Sequence, residues 1–204
     1  MANRWESLIR RLKGEPHPEH TELILQSYQE SHRHFHCLSV HVRQLLEELD
    51  TLSSYFPEIL ELFIWLHDLF YDPKRQDNEL ASAILAEEII TESNIENASH
   101  MAETIAEMIK WSQHHNPSND LYVQCAMDLD LSILGKPLET VALWHDQIRA
   151  EYSHLAPDEF IAKRIEFLRQ FSQRDPIFQT KHFRTKYEEQ AKKNLTVLLT
   201  PPFY

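Results

Sequence analysis

The chain has 204 residues, of which 42% are hydrophobic and 25% are charged, which is enough for one globular domain with a sizeable core. Its formal net charge of −12 makes a basic surface for binding nucleic acid unexpected. The two cysteines, Cys37 and Cys125, cannot form a disulfide framework, and we expect a reducing, cytoplasmic location.

No segment predicts a membrane partner. The N-terminal stretch MANRWESLIRRLKGE is charged throughout and lacks the apolar core of a signal peptide. The longest apolar stretch, Ile59 to Phe70, is interrupted by Glu61, His67 and Asp68, so it is too short and too polar to cross a bilayer.

Apolar residues recur at helical spacing along the chain, and no stretch alternates as a strand does. The only two glycines, Gly14 and Gly135, also argue against a fold rich in hairpins. We therefore predict an all-α helical bundle in a single domain over residues 1–204. The predicted helices, in chain order, run from Asn3 to Gly14, from near Pro18 to Tyr28, from about Phe35 to Leu49, from Pro57 to Asp72, from Asp77 to Ile89, over Met101 to Ile109, from Asp120 to Gly135, and over residues 137–152, 158–171 and 185–199.

The fourth predicted helix, PEILELFIWLHDLFYD, is apolar nearly all round and should be the most buried element, above all from Ile59 to Tyr71. Pro73 disfavours helical geometry at Asp72, so the helix should stop there. After a loop, Asp77 should cap a helix whose apolar residues are Leu80, Ile84, Leu85 and Ile89.

Two ionisable residues, His67 and Asp68, lie near the end of this apolar helix. Burial of an unpaired carboxylate is costly, so the pair needs a partner, either a divalent cation or a hydrogen-bonded ion pair. Adjacent helical residues point about 100° apart, so both reach one ion only if it lies beyond the helix end. A second pair, His145-Asp146, lies on a half-solvated amphipathic helix, and we do not expect it to be catalytic.

Further candidate ligands flank the first pair. The segment Arg33 to His41 is rich in histidine, the commonest metal ligand. Downstream, Asp128 and Asp130 lie on an otherwise apolar helix, where aspartate is unfavourable without a ligand or a donor. The order His, His-Asp, Asp therefore distributes metal-type ligands over three predicted helices.

The chain resembles the predicted metal-dependent phosphohydrolases of the HD superfamily. The similarity covers most of the chain, and its blocks are more specific in order and spacing than the His-Asp pair alone. The blocks are RHFHCLSVHV, WLHDLFYDPKRQDNELAS, the Ser-Gln-His-His loop, MDLDLSILG, IRAEY, RDPIFQTKHF and Lys193-Asn194-Leu195.

The resemblance implies a divalent metal ion, drawn from Mn, Mg, Co, Fe, Ni and Zn, as the cofactor. Its ligands would be His41, His67, Asp68 and Asp130, with Asp128 as the alternative to Asp130. Enzymes of this type cleave phosphoesters with water that the ion activates. We therefore expect hydrolysis of a small phosphorylated metabolite, such as a nucleotide.

One spacing differs from the family pattern. The family has a histidine four residues after the position of His36, where this chain has Val40, and His41 follows one residue later. Five residues correspond to about 140° around an ideal helix, so His36 and His41 cannot share a face of a regular helix. We predict that the helix begins, bulges or kinks near Cys37 to Val40, so that His41 is the ligand; otherwise His36 is the alternative.

Other positions follow from the resemblance. Catalytic candidates are His36, Asp72 and Glu79, although Asp72 could equally be a turn or capping aspartate. His114 or His115 could contact the substrate or a second metal, and Arg33 could attract a phosphate. The IRAEY block gives Arg149 no assignable role.

The alternative function is a binding or regulatory protein that keeps the helical scaffold and has little catalytic activity. The displacement of His41 relative to the family pattern is the feature that favours it.

Overall fold

The computed structural model describes residues 1–52 and 57–200. Within these ranges every regular element is helical. The α-helices are α1 (Ala2–Arg11), α2 (Pro18–Ser27), α3 (Arg43–Asp50), α4 (Pro57–Leu66), α5 (Asn78–Glu92), α6 (Ala98–Ser112), α7 (Leu121–Asp130), α8 (Leu138–Glu151), α9 (Pro157–Ser172) and α10 (Lys181–Leu198), and a π-helical turn (Leu38–Val42) and a 3₁₀ turn (Leu131–Gly135) complete the set. The predicted all-α class is confirmed. No described helix is long and apolar enough to cross a membrane.

Contacts group the chain into two compact units, Met1–Met127 and Asp128–Tyr204. The boundary falls inside α7, so this single helix belongs to both units. The prediction of one domain over residues 1–204 stays a prediction.

Helix α4 lies in the core of the first unit. Its apolar residues surround the whole helix, and every residue from Leu60 to His67 is buried. The acidic exception is Glu61, 4% exposed, which forms ion pairs with Arg4 and Arg11. The predicted burial of this segment is confirmed.

Two predicted helix ends are wrong. Helix α4 ends at Leu66 instead of Asp72, because the carbonyls of Phe63 and Ile64 face the His67 imidazole and the next residues turn away. The third predicted helix begins at Leu38 instead of Phe35, since Cys37 has an extended backbone.

The apolar residues predicted along α5 do not all face the core. Leu80 and Ile84 are 51% and 57% exposed. The buried residues are mainly small: Ser82, Ala83, Ala86, Ile89 and Ile90. Small side chains let this face pack closely against α6. The N-cap residue Asp77 makes no capping hydrogen bond, because its carboxylate pairs with Arg75 at 2.6 and 2.8 Å.

Gly14 does not supply the left-handed residue that ends α1, since Lys13 does so with a φ of 61°. Glycine is needed at position 14 for close approach, because a Cβ there would lie 2.5 Å from the Ser93 carbonyl oxygen.

In the second unit, Asp128 holds the start of α10. Its carboxylate accepts the backbone N–H groups of Gln179 (2.7 Å) and Thr180 (2.6 Å), and so satisfies donors at the helix N-terminus. Asn194 of α10 donates to the carbonyls of Leu134 and Lys136, at 2.7 and 2.8 Å. These bonds give the MDLDLSILG block a structural role.

Candidate metal centre

The His67 imidazole is oriented by the last turn of α4. Its Nδ1 lies 3.2 Å from the Phe63 carbonyl oxygen and 3.1 Å from that of Ile64. Carbonyls only accept, so Nδ1 carries the proton and donates to them. The other ring nitrogen, Nε2, is therefore the one that points toward His41 and Asp68 and would bind a metal ion.

The π-helical turn orients the second imidazole. Cys37 is extended, and the Val42 N–H donates to the Cys37 carbonyl at 3.4 Å, five residues back. The wider turn absorbs the extra residue before His41, and His41 Nε2 lies 2.9 Å from His67 Nε2. The predicted irregularity near Cys37 to Val40 is confirmed, and it directs His41 toward His67 and Asp68.

The Asp68 carboxylate meets both imidazoles. Its Oδ2 is 3.1 Å from His67 Nε2 and 3.5 Å from His41 Nε2. Burial opposes ionisation of this carboxyl, but the nearby histidines, His67 above all and then His36 and His41, outweigh it and hold the pKa of Asp68 well below its usual range. Asp68 is thus a carboxylate, ready to bind a cation.

The last predicted ligand, Asp130, ends α7. One ligand atom from each of His41, His67 and Asp130 lies within 4.8 Å of the others. The alternative, Asp128, is fully buried, and both its oxygens are bound to backbone N–H groups. The geometry therefore favours Asp130 over Asp128 as the fourth candidate ligand.

His36 is half-buried and lies beside His41. Its ring centroid is 5.5 Å from that of His41 and 4.3 Å from that of Tyr71. This position suits a proton donor or a substrate contact better than the first ligand.

Glu79 supplies a second carboxyl near the candidate centre. Burial, together with the negative charge of Asp68, raises the pKa of Glu79, while His115 and His114 act in the opposite direction. The loop histidines are therefore within electrostatic range of Glu79; His114 is exposed and His115 is half-buried.

Two predicted site residues have structural contacts instead. Asp72 accepts the backbone N–H of Lys74 at 2.9 Å, which is the turn role left open by the sequence. The Arg33 side chain is 0% exposed and donates to backbone carbonyls, and the predicted phosphate contact at its guanidinium stays a prediction. Sequence shows the charge of a side chain but not which acceptors surround it.

The second His-Asp pair belongs to a different environment. His145 and Asp146 line an open cavity of about 450 Å³ between α8 and α9. Burial lowers the pKa of His145 to about 4, and the charge of Arg164 adds to this effect. In the same cavity Arg149 donates to the carbonyls of Tyr152 and Leu155, a structural role that the sequence did not assign.

In comparisons with protein-family models, curated proteins and solved structures, no match to the chain was found. The resemblance to HD phosphohydrolases therefore stays an expectation, carried by the sequence blocks and by the grouping of His41, His67, Asp68 and Asp130.

Proposed function

We propose that this protein is a metal-dependent phosphohydrolase that cleaves a phosphoester of a small metabolite, such as a nucleotide. The observation that carries the proposal is the close grouping of the His41, His67 and Asp68 ligand atoms, within 2.9 to 3.5 Å of one another. Two of these side chains, His67 and Asp68, follow the most apolar helix of the chain, where ionisable groups need a partner.

The donor set fits a divalent ion. Two neutral imidazoles and two carboxylates suit transition metals and magnesium-class ions. Ligand atoms that lie about 2.1 Å from one ion, at right angles, are about 3 Å apart. The separations of 2.9, 3.1 and 3.5 Å between the ligand atoms of His41, His67 and Asp68 lie near that value.

A bound divalent ion would supply an activated water and positive charge for the phosphoryl group. That charge matters because the chain carries a formal net charge of −12 and would otherwise repel a phosphate. Glu79, whose pKa is raised by burial, is the proposed general acid or base, and His36 is the second candidate for proton transfer. The exposed His114 is the proposed contact to the substrate.

The alternative, a binding or regulatory protein, depended on the displacement of His41 relative to the family pattern. The π-helical turn compensates for that displacement, so this feature no longer favours a non-catalytic protein.

The first prediction tests the centre through His67. Protein purified without chelator should contain a divalent metal and hydrolyse members of a nucleotide and phosphoester panel. His67→Ala should lose the metal and the activity, because it removes a ligand whose Nε2 lies 2.9 Å from His41 Nε2 and 3.1 Å from the Asp68 carboxylate. Metal content is measured by elemental analysis, and folding by circular dichroism.

The matched control is His145→Ala, which changes the histidine of the second His-Asp pair. It should keep the metal content and the turnover of the wild type. Full metal stoichiometry in His67→Ala would contradict the ligand assignment, and hydrolysis untouched by exhaustive chelation would contradict the mechanism.

A further inference from the structure

We propose that Arg33 is a positioning residue for the metal centre: its guanidinium holds the backbone of the two segments that carry the ligands. The inference rests on the proposed function, because it concerns the same ligands. The sequence predicted that Arg33 attracts a phosphate, whereas this inference gives its buried side chain an effect on metal affinity.

The hydrogen bonds of Arg33 converge on these segments. Nη1 donates to the carbonyl of Asp68 at 2.6 Å and to that of His36 at 3.3 Å, and Nη2 donates to the carbonyl of Leu69 at 3.0 Å. Nε donates to the carboxylate of Glu30 at 2.9 Å. The planar guanidinium thus links the turn that carries Asp68 to His36, which precedes the π-helical turn that carries His41.

Two aromatic rings hold the guanidinium. Its carbon lies 5.2 Å from the centroid of the Tyr28 ring and 5.4 Å from that of Tyr71. The Tyr28 hydroxyl oxygen also accepts the Asp68 N–H at 3.3 Å and donates to the Trp65 carbonyl at 3.2 Å. Arg33 and Tyr28 therefore restrain both backbone polar groups of a predicted ligand residue.

The rest of the turn depends on side chains in the same way. Residues 67–72 follow the end of α4 and belong to no helix, so side chains supply hydrogen bonds that a helix would otherwise provide. The side chains of Ser82, Asn78 and His32 bond to the backbone of Phe70, Asp72 and Tyr71. Arg33 also donates to the carbonyl of His36, on the segment leading to His41.

Substitution of Arg33 should lower the metal affinity more than it lowers the stability of the fold. A metal ligand must be held in its binding geometry before the ion arrives, and loss of an outer partner of a ligand costs about 10- to 100-fold in affinity. Lysine keeps the charge of Arg33 but has no planar fork, so it cannot donate to both segments in the same arrangement.

The experiment compares Arg33→Lys and Arg33→Ala with the full-length wild type. Dissociation constants for Mn²⁺ and Co²⁺ are measured by titration, at a temperature where circular dichroism shows each variant folded. We expect affinity about 10- to 100-fold weaker in both variants, with an altered Co²⁺ absorption spectrum. Added guanidinium ion should restore affinity in Arg33→Ala, where it can occupy the space left by the side chain, and an equal concentration of methylammonium should not.

The chain offers a matched control in Arg149, which also donates to two carbonyls and lies over an aromatic ring, that of Phe160 at 5.0 Å. Arg149→Ala should lower stability without changing the dissociation constant. If Arg33→Ala is unfolded, Arg33→Lys decides alone. Wild-type affinity in the folded Arg33 variants would overturn this inference and leave the proposed function standing, whereas a wild type that binds no metal would overturn both.

Discussion

At the scale of single residues, a polar side chain could be predicted as a candidate ligand where the flanking sequence is apolar. His67 and Asp68 stand out because the flanking sequence is hydrophobic, and it leaves His67 buried and Asp68 half-buried. Asp128 and Asp130 give the same signal in the sequence, and the structure distinguishes them because backbone N–H groups bind the Asp128 carboxylate. Arg33 was assigned to substrate because sequence cannot show that its donors face carbonyls.

The second residue-scale prediction concerns Glu79. Glu79→Gln should lower kcat by about 10²- to 10⁴-fold, the usual contribution of a general acid or base, and leave metal affinity unchanged. Because the pKa of Glu79 is raised, the limb of the wild-type pH–rate profile that reports it should lie above the range of an ordinary glutamate, and the variant should lack that limb. Steady-state kinetics between pH 4 and 9 measure both effects.

Glu88→Gln is the control, since Glu88 is exposed on the same helix. It should match the wild type in rate and in pH profile. A Glu79→Gln variant with wild-type kcat would remove Glu79 from the proton transfer.

At the scale of elements, helices were predictable from apolar spacing and their ends were not. Hydrophobic periodicity continues from Leu60 past His67, but the chain leaves the helix where the His67 imidazole bonds to carbonyls of the last turn. In α5, Leu80 and Ile84 are exposed although they are apolar, because the buried face of the helix consists mainly of small residues. The π-helical turn was predictable because a known spacing is interrupted by one residue.

The element-scale prediction removes that residue. Deletion of Val40 should convert the π-helical turn to a regular α-helical turn and place the histidine four residues after His36, as in the family pattern. We expect metal affinity close to that of the wild type, because the histidine still faces His67. Titration with Mn²⁺ measures the affinity, and thermal unfolding measures the stability.

Deletion of Arg43 is the control, because Arg43 is exposed and follows His41 on the regular helix. This deletion rotates the buried residues Leu45, Leu46 and Leu49 by about 100° relative to His41 and should destabilise the fold. Loss of metal binding on deletion of Val40 would show that the wider turn is itself required.

At the scale of the whole molecule, composition was sufficient for the helical class. Few glycines and unbroken helical periodicity left no place for hairpins, and every regular element in the described residues is a helix. The two compact units were not predictable from the sequence, because their boundary lies within the continuous helix α7 and no linker marks it. Buried titratable groups of either unit should therefore contribute to the pH dependence of the free energy of unfolding.

The pH dependence of unfolding tests one such contribution, that of His145. Burial, with the nearby charge of Arg164, lowers the pKa of His145 to about 4, whereas the pKa of an ordinary histidine in the unfolded chain is 6.5. Between these two pH values the folded protein keeps the ring neutral and the unfolded chain protonates it. The stability contributed by the neutral ring is therefore fully present above pH 6.5 and is lost as the pH falls toward 4. His145→Gln removes this titration, so its free energy of unfolding should decrease less than that of the wild type over this range. Urea unfolding at closely spaced pH values measures the difference, and parallel curves for the two proteins would show that His145 is not held neutral by the fold.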